Sequence, residues 1–157
     1  MRVKDIMSSP PITVTEETLL PEVARIMQER NIGAVIVVDQ SGRMAGLITE
    51  TDFATVASSI PFSLRRAAVI FGAKVPSAQE LEAIYAEARK LAAADVMSRD
   101  VVTATENEPV GNVIRRMLDR DLKHVPVVRD GVPVGMLARH DVVKLAMDRL
   151  VNPAPAR

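Results

Sequence analysis

Asp5-Ile6-Met7-Ser8 and Asp95-Val96-Met97-Ser98 are one phrase written twice with a single change, Ile6 to Val96, and the repetition continues along the chain. Setting residue n against n + 90 aligns Thr13 with Thr103, Thr15-Glu16 with Thr105-Glu106, and Val23, Arg25, Met27 and Arg30 with Val113, Arg115, Met117 and Arg120. Val35, Val37 and Val38 fall on Val125, Val127 and Val128, giving 13 identities over residues 5–38. One residue is then lost in a turn, the offset becomes 89, and Gly42, Gly46 and Asp52 meet Gly131, Gly135 and Asp141. Two copies of one unit, about ninety residues apart, imply a pseudo-symmetric pair rather than a solenoid.

Each copy parses as β-α-β-β-α, an α/β chain of α+β type. A short extended stretch (Ile12-Thr13-Val14; Val101-Val102-Thr103) precedes an amphipathic helix. The helix carries Leu19, Leu20, Val23, Ile26 and Met27, or Val110, Val113, Ile114, Met117 and Leu118. Pro21 and Pro109 are placed in the first helical turn, where proline is tolerated. Two strands joined by a turn follow, Ala34–Val38 and Met44–Ile48, or Val125–Val128 and Val132–Leu137. A last helix starts near Thr51 or His140. The nearly continuous apolar runs predict strands covered on both faces. The organisation expected is repeat 1 over 1–52, a helical connecting segment over 53–93, repeat 2 over 94–150 and a tail over 151–157. Within the connector, a helix from Asp52 stops before Pro61, and a second spans Ser63–Phe71 with Gly72 as its stop. The third opens with the capping box Ser77-x-x-Glu80 and shows Leu81, Ile84, Tyr85, Ala88, Leu91 and Ala92 on one face. All four aromatics (Phe53, Phe62, Phe71, Tyr85) lie in this segment.

Composition narrows function. The 157 residues carry 20 basic and 20 acidic side chains and no cysteine. Zero net charge argues against nucleic-acid binding and a polybasic membrane anchor. The cysteine count excludes disulfides, thiolate-ligated metals and thiol catalysis. No apolar run is long enough to span a bilayer and the start lacks a signal-peptide core, so a cytoplasmic protein is expected. No catalytic motif pairs a nucleophile with a base, and no metal site is expected.

One constellation bears on chemistry: Gly46-Leu47-Ile48-Thr49-Glu50-Thr51-Asp52. Thr49 ends a strand and Asp52 lies one turn into a helix, so a hydroxyl and a carboxylate stand together at a helix N-terminus. A carboxylate can accept both hydroxyls of a vicinal diol, and the helix end favours an anion. The same spacing also reads as an N-cap with an acidic residue at the third helical position.

Taken together, Val3-Lys4-Asp5-Ile6-Met7, Ala94-Asp95-Val96-Met97, Lys123-His124-Val125-Pro126-Val127-Val128 and the Gly-x-x-Thr-x-x-Asp ending resemble a tandem pair of cystathionine-β-synthase (CBS) domains, a Bateman module, over residues 2–52 and 93–146. The resemblance implies two sheets packed about a pseudo-twofold axis, with two clefts between the copies. It implies a regulatory module, not an enzyme, that binds AMP, ADP, ATP or S-adenosylmethionine as a regulatory ligand and needs no catalytic cofactor. A homodimer and a protein effector are the implied partners. Carried over, the first cleft combines Ile48, Thr49 and Asp52 with Val102, Thr103, Lys123, His124, Val125 and Pro126. The second combines Ile12, Thr13, Ala34 and Val35 with Leu137, Arg139 and Asp141. There Ala138 stands where a hydroxyl is expected, which favours the first cleft. The alternative is an interaction protein that binds no ligand and docks on an enzyme or transporter.

Overall fold

The computed structural model describes residues 1–57 and 77–152. The expected connector helix over 63–71, its Gly72 stop, and Pro61, Phe62 and Phe71 lie outside them. The first copy contains β1 (Thr13–Thr15), α1 (Leu20–Arg30), β2 (Ala34–Val38), β3 (Met44–Thr49) and α2 (Glu50–Ala57). Then come α3 (Ala78–Ala88) and the short α4 (Ala93–Val96). The second copy contributes α5 (Val110–Asp119), β4 (His124–Arg129), β5 (Val132–Ala138) and α6 (Arg139–Val151).

The two copies match in detail. α1 buries Leu20, Val23 and Met27; α5 buries Val110, Val113 and Met117 at the same spacing. Asn31 and Asp121 both take left-handed conformations, φ 50° each, as the chain leaves these helices. Both hairpins carry a register irregularity at one place, Val37/Val38 and Val127/Val128. The expected helical stripes are wider than the buried ones. Leu19 is the extended residue before α1 and is 50% exposed, while Leu118 is 72% exposed. Pro109 likewise precedes α5 instead of entering its first turn.

One expected strand is missing. In the first copy β1 pairs in parallel with β2, and Ile36 N–H donates to Ile12 C=O at 3.3 Å. The counterpart of Ile36 is Pro126, which has no N–H to donate. Val101–Thr103 therefore forms no strand, and only Ala104 bridges Val127. The first sheet has three strands, ordered β1-β2-β3, and the second has two.

The opening segment of each copy seats on the other copy. Ser8 and Met136 exchange backbone hydrogen bonds at 2.9 and 3.0 Å, and Ser98 and Leu47 do the same at 2.9 and 3.0 Å. Val3 N–H reaches Glu108 C=O and Ala93 N–H reaches Thr18 C=O, equivalent bonds at 3.0 and 2.8 Å. Val3 is thus buried in the second copy's core, with Val113, Val125, Val127 and Leu137. Ala93 and Met97 are buried in the first copy's core, with Val23, Val35, Val37 and Ile48. Gly46 and Gly135 permit this approach. A Cβ on Gly46 would lie 2.7 Å from both Met97 Sδ and Ser98 O; one on Gly135 would lie 2.6 Å from Met7 Sδ and 3.0 Å from Ser8 O.

A third apolar cluster joins the sheets. Ala34, Ile36 and Leu47 are buried, with Val101 and Met136 packed against them. Strands covered on both faces are therefore observed in β2, where Val35 and Val37 meet helices and Ala34 and Ile36 meet the other copy. The capping box of α3 forms as expected: Glu80 N–H donates to Ser77 Oγ at 3.2 Å, and Ser77 N–H donates to Glu80 Oε2 at 2.6 Å. Leu91 C=O accepts from Leu20 N–H at 2.8 Å, which ties the segment after α3 to the start of α1.

Candidate functional site

Thr49 and Asp52 form first the cap and only then anything else. Asp52 is the third residue of α2, and its Oδ2 accepts Thr49 N–H at 2.7 Å and Thr49 Oγ1 at 3.3 Å. Asp141 repeats this in α6, accepting Ala138 N–H at 2.8 Å. Each carboxylate spends one oxygen on its own helix and retains a second for another donor.

The strands and these helix starts enclose two cavities between the copies. The smaller, about 330 Å³, is lined by Thr49, Glu50, Thr51, Asp121, Lys123 and His124, with Gly33, Leu47 and Leu122. The larger, about 490 Å³, draws Ser8, Pro10, Pro11, Ile12 and the run from Asn31 to Ala34 from the first copy's side. Met136, Ala138, His140, Asp141 and His124 close it from the second. Both volumes fall within the ~300–1,000 Å³ usual for small-molecule sites.

Of the residues expected in the first cleft, Thr49, Lys123 and His124 come together on one cavity. Asp52 is half-buried and lines neither. Ile48 and Val125 are fully buried in the two cores, and Pro126 is fully buried as well. Thr103 lines a separate depression of about 250 Å³ with Met44, Arg99 and Gly131, and Val102 is not among the described residues lining either cleft. Of the residues expected in the second cleft, Ile12, Ala34 and Asp141 share the larger cavity. Val35 and Leu137 are fully buried beneath helices and Thr13 is exposed. Arg139 turns outward, its Nη2 donating to Asp121 Oδ1 at 2.6 Å. The preference for the first cleft is thus not matched by volume, since the cleft with Ala138 is the larger.

Ile48, Val35, Val125 and Leu137 turn away from the clefts for one reason. Side chains alternate along a strand, so when Ala34 faces the other copy, Val35 must face the helices. That alternation was available as a signal. Glu50, Thr51, Asp121, Ser8, Asn31 and Met136 were not expected at the site. Repeat equivalence offered the clue for some, since Thr51 corresponds to His140 and Asn31 to Asp121.

His124 stands between the cavities and lines both. A Cβ on Gly33 would sit 3.0 Å from His124 Cε1 and 3.1 Å from Nε2, so glycine makes room for the imidazole. Burial holds the His124 pKa below its ordinary value. Glu50 and Asp141 oppose that shift, and Lys123 reinforces it. Beside the depression that Thr103 lines, Arg116 donates to Glu108 Oε1 and Oε2 at 2.7 and 3.0 Å and to Thr103 C=O at 3.2 Å, pinning the entry segment to α5.

Among the described residues no group of three or more histidine, aspartate or glutamate side chains is placed to hold a metal ion. No helix among them is long and apolar enough to cross a membrane.

The fold recurs in known proteins. The CBS structure from a CBS domain-containing membrane protein of Sphaerobacter thermophilus is 42% identical, with a TM-score of 0.71 over 92% of this chain and 87% of that one. The CBS domain pair of protein MJ0100, crystallised with 5′-methylthioadenosine and S-adenosyl-L-methionine, is 29% identical, with a TM-score of 0.73 over 95% of this chain and 98% of that one. The L-aspartate semialdehyde sulfurtransferase of Methanocaldococcus jannaschii is 30% identical over 144 residues, but this chain spans only 23% of its length. The uncharacterised protein MJ1426 of the same organism is 27% identical, and the chain spans 90% of it. The CBS domain model matches twice, at residues 3–59 and 93–148. The chain belongs to the CBS domain family, as two CBS domains paired in one polypeptide.

Proposed function

We propose that this CBS pair is a regulatory sensor that binds an adenosine-containing ligand between its two copies and catalyses no reaction. The observation that carries the reading is the 490 Å³ cleft, built from both copies, with Asp141 at the helix start on its wall. The carboxylate's second oxygen suits a ribose diol, and the apolar Ile12, Ala34 and Met136 suit the faces of a base. The ligand-bound MJ0100 pair, alike over nearly its whole length, supports the same reading. Thr49 and Lys123 make the smaller cleft a second candidate site. The sensor works in the cytoplasm as a homodimer and passes its state to a protein effector.

A second reading has an observation of its own. Val143, Met147, Leu150 and Val151 leave an exposed apolar strip along α6, which suits a chain acting by association alone. A thermal-shift series separates the two. Adenosine compounds at 100 times their dissociation constant stabilise by about 2.7 kcal/mol, or roughly 5–10 °C for a chain of this size. No shift with any of them at millimolar concentration refutes the sensor and leaves the association reading.

A further inference from the structure

A hollow outside the clefts lies where the connecting segment meets the first copy. It measures about 410 Å³ and is walled by Leu20 and Ala24 of α1, Phe53 of α2, Tyr85 and Ala88 of α3, and Arg89 just beyond α3. None of these residues lines either cleft. The repeat explains the space. Ala24 corresponds to Ile114 and Phe53 to Val142, and Ile114 and Val142 both pack against the second core. Ala24 stops at a methyl group where the other copy carries a branched side chain, so α1 leaves room at a position that α5 fills. Two of the chain's four aromatics, Phe53 and Tyr85, wall that room. Arg89 brings a charge to it. Arg89 Nη1 donates to Glu82 Oε1 at 2.7 Å, in a pair whose side chains are 56% and 65% exposed. Such a pair contributes little to stability, so Arg89 can exchange Glu82 for another carboxylate at small cost.

A mostly apolar hollow of this size with a charged group on its wall has the make-up of a small-molecule site. Its aromatic and aliphatic walls suit a hydrocarbon body. The guanidinium suits a carboxylate, which it can hold through two parallel N–H donors. We propose that the hollow between α1, α2 and α3 is a further ligand site, for an apolar monocarboxylate, separate from the clefts between the copies. The ligand's acid group takes the place of Glu82 on Arg89, and its hydrocarbon body lies over Ala24 between Phe53 and Tyr85. Phe53 also connects the site to the rest of the molecule. With Ala24 it lines an adjoining hollow of about 420 Å³, whose Gly33 and Glu50 line the smaller cleft. The inference does not depend on what the clefts themselves bind.

Tyr85 is the chain's one tyrosine and there is no tryptophan, so tyrosine emission reports on this hollow alone. The test titrates the full chain with octanoate, which does not absorb where tyrosine does, and with octanol as its uncharged match, with calorimetry in parallel. Octanoate is expected to change Tyr85 emission saturably at millimolar concentration or below, and to bind roughly two- to fivefold more tightly than octanol. Arg89→Gln should erase that preference. Ala24→Ile installs the residue the second copy carries, and should weaken octanoate by roughly tenfold or more. Ala88→Leu fills the hollow from the α3 side and should do the same, which keeps the test open if Ala24→Ile does not fold. No saturable response to octanoate overturns the site, and saturable heat with unchanged Tyr85 emission overturns its location. Octanol binding as tightly as octanoate, or a preference that survives Arg89→Gln, overturns the assignment of the acid group. Undiminished binding by a folded Ala24→Ile or Ala88→Leu chain overturns the hollow as the place of binding.

Discussion

Replacing Gly46 by alanine tests how tightly the opening segments are exchanged. The backbone at Gly46 is not left-handed, so alanine meets no conformational penalty there and the cost is steric. The new methyl would lie 2.7 Å from Ser98 O, which is backbone and accepts the Leu47 N–H at 3.0 Å. It would also lie 2.7 Å from the sulfur of the buried Met97. Relief requires moving a paired strand edge. Overpacking costs about 1–3 kcal/mol, a strained hydrogen bond adds about 0.5–1.5, and the stiffer unfolded chain returns about 0.4–1. The expected net loss is about 1–3 kcal/mol, read from denaturant midpoints at constant slope, or about 2–12 °C in Tm. Gly135→Ala should cost less, because its closest neighbour is the flexible end of Met7 and Ser8 O is 3.0 Å away. Gly111→Ala is the control. It lies in α5 with nothing within 4 Å, and should stabilise by about 0.5–1 kcal/mol. If Gly46→Ala unfolds at the wild-type midpoint or above, or Gly135→Ala proves the more damaging, the exchanged contact is not what holds the copies together.

Asp52→Ala should remove the α2 cap and cost about 0.5–2 kcal/mol, and Asp141→Ala should do the same at α6 while also abolishing ligand-induced stabilisation at the larger cleft; paired urea melts with and without ligand read both effects. His124 has a folded pKa below its ordinary 6.5, so the unfolded chain takes up the proton first and stability should fall as pH drops below about 6.5 toward the lower folded value. His124→Gln should flatten that slope between pH 7.5 and 5.5, and an unchanged slope would remove His124 as its cause. Glu108→Gln should cost about 1–2 kcal/mol by weakening the Arg116 pair that holds the Thr103 carbonyl, and a midpoint equal to wild type would show the pair to be idle.

Much of the fold was legible because it is written twice. The identities at Val23, Met27, Val35 and Val37 mark side chains that face the same cores, and the structure places them so. Helix starts were legible from local chemistry, as at Ser77 and Glu80. The lost strand before α5 was present in the sequence as Pro126, but its meaning depends on which neighbour its nitrogen would have to serve. The seating of Val3 in the second core was illegible for a related reason. Ser8 and Met136 are far apart in sequence, and no local pattern says where an edge finds its partner. At the site, Thr49, His124, Ala34 and Asp141 lie on cavity walls, because they sit at strand ends or helix starts that the motif marks. Val35, Val125 and Leu137 were drawn in as neighbours in sequence, and the period of a strand turns neighbours to opposite faces.

The crossed seating of the two openings means that the molecule's halves are interlocked rather than merely tethered. Residues 1–57 carry the piece that completes the second core, and residues 77–152 carry the piece that completes the first. Severing the peptide chain between 58 and 76 would therefore not release either half, because each holds a part the other lacks. The two fragments, made separately, should reassemble on mixing into one particle. Either fragment alone should behave as an unfinished body, seeking the missing edge in whatever copy of its partner it meets.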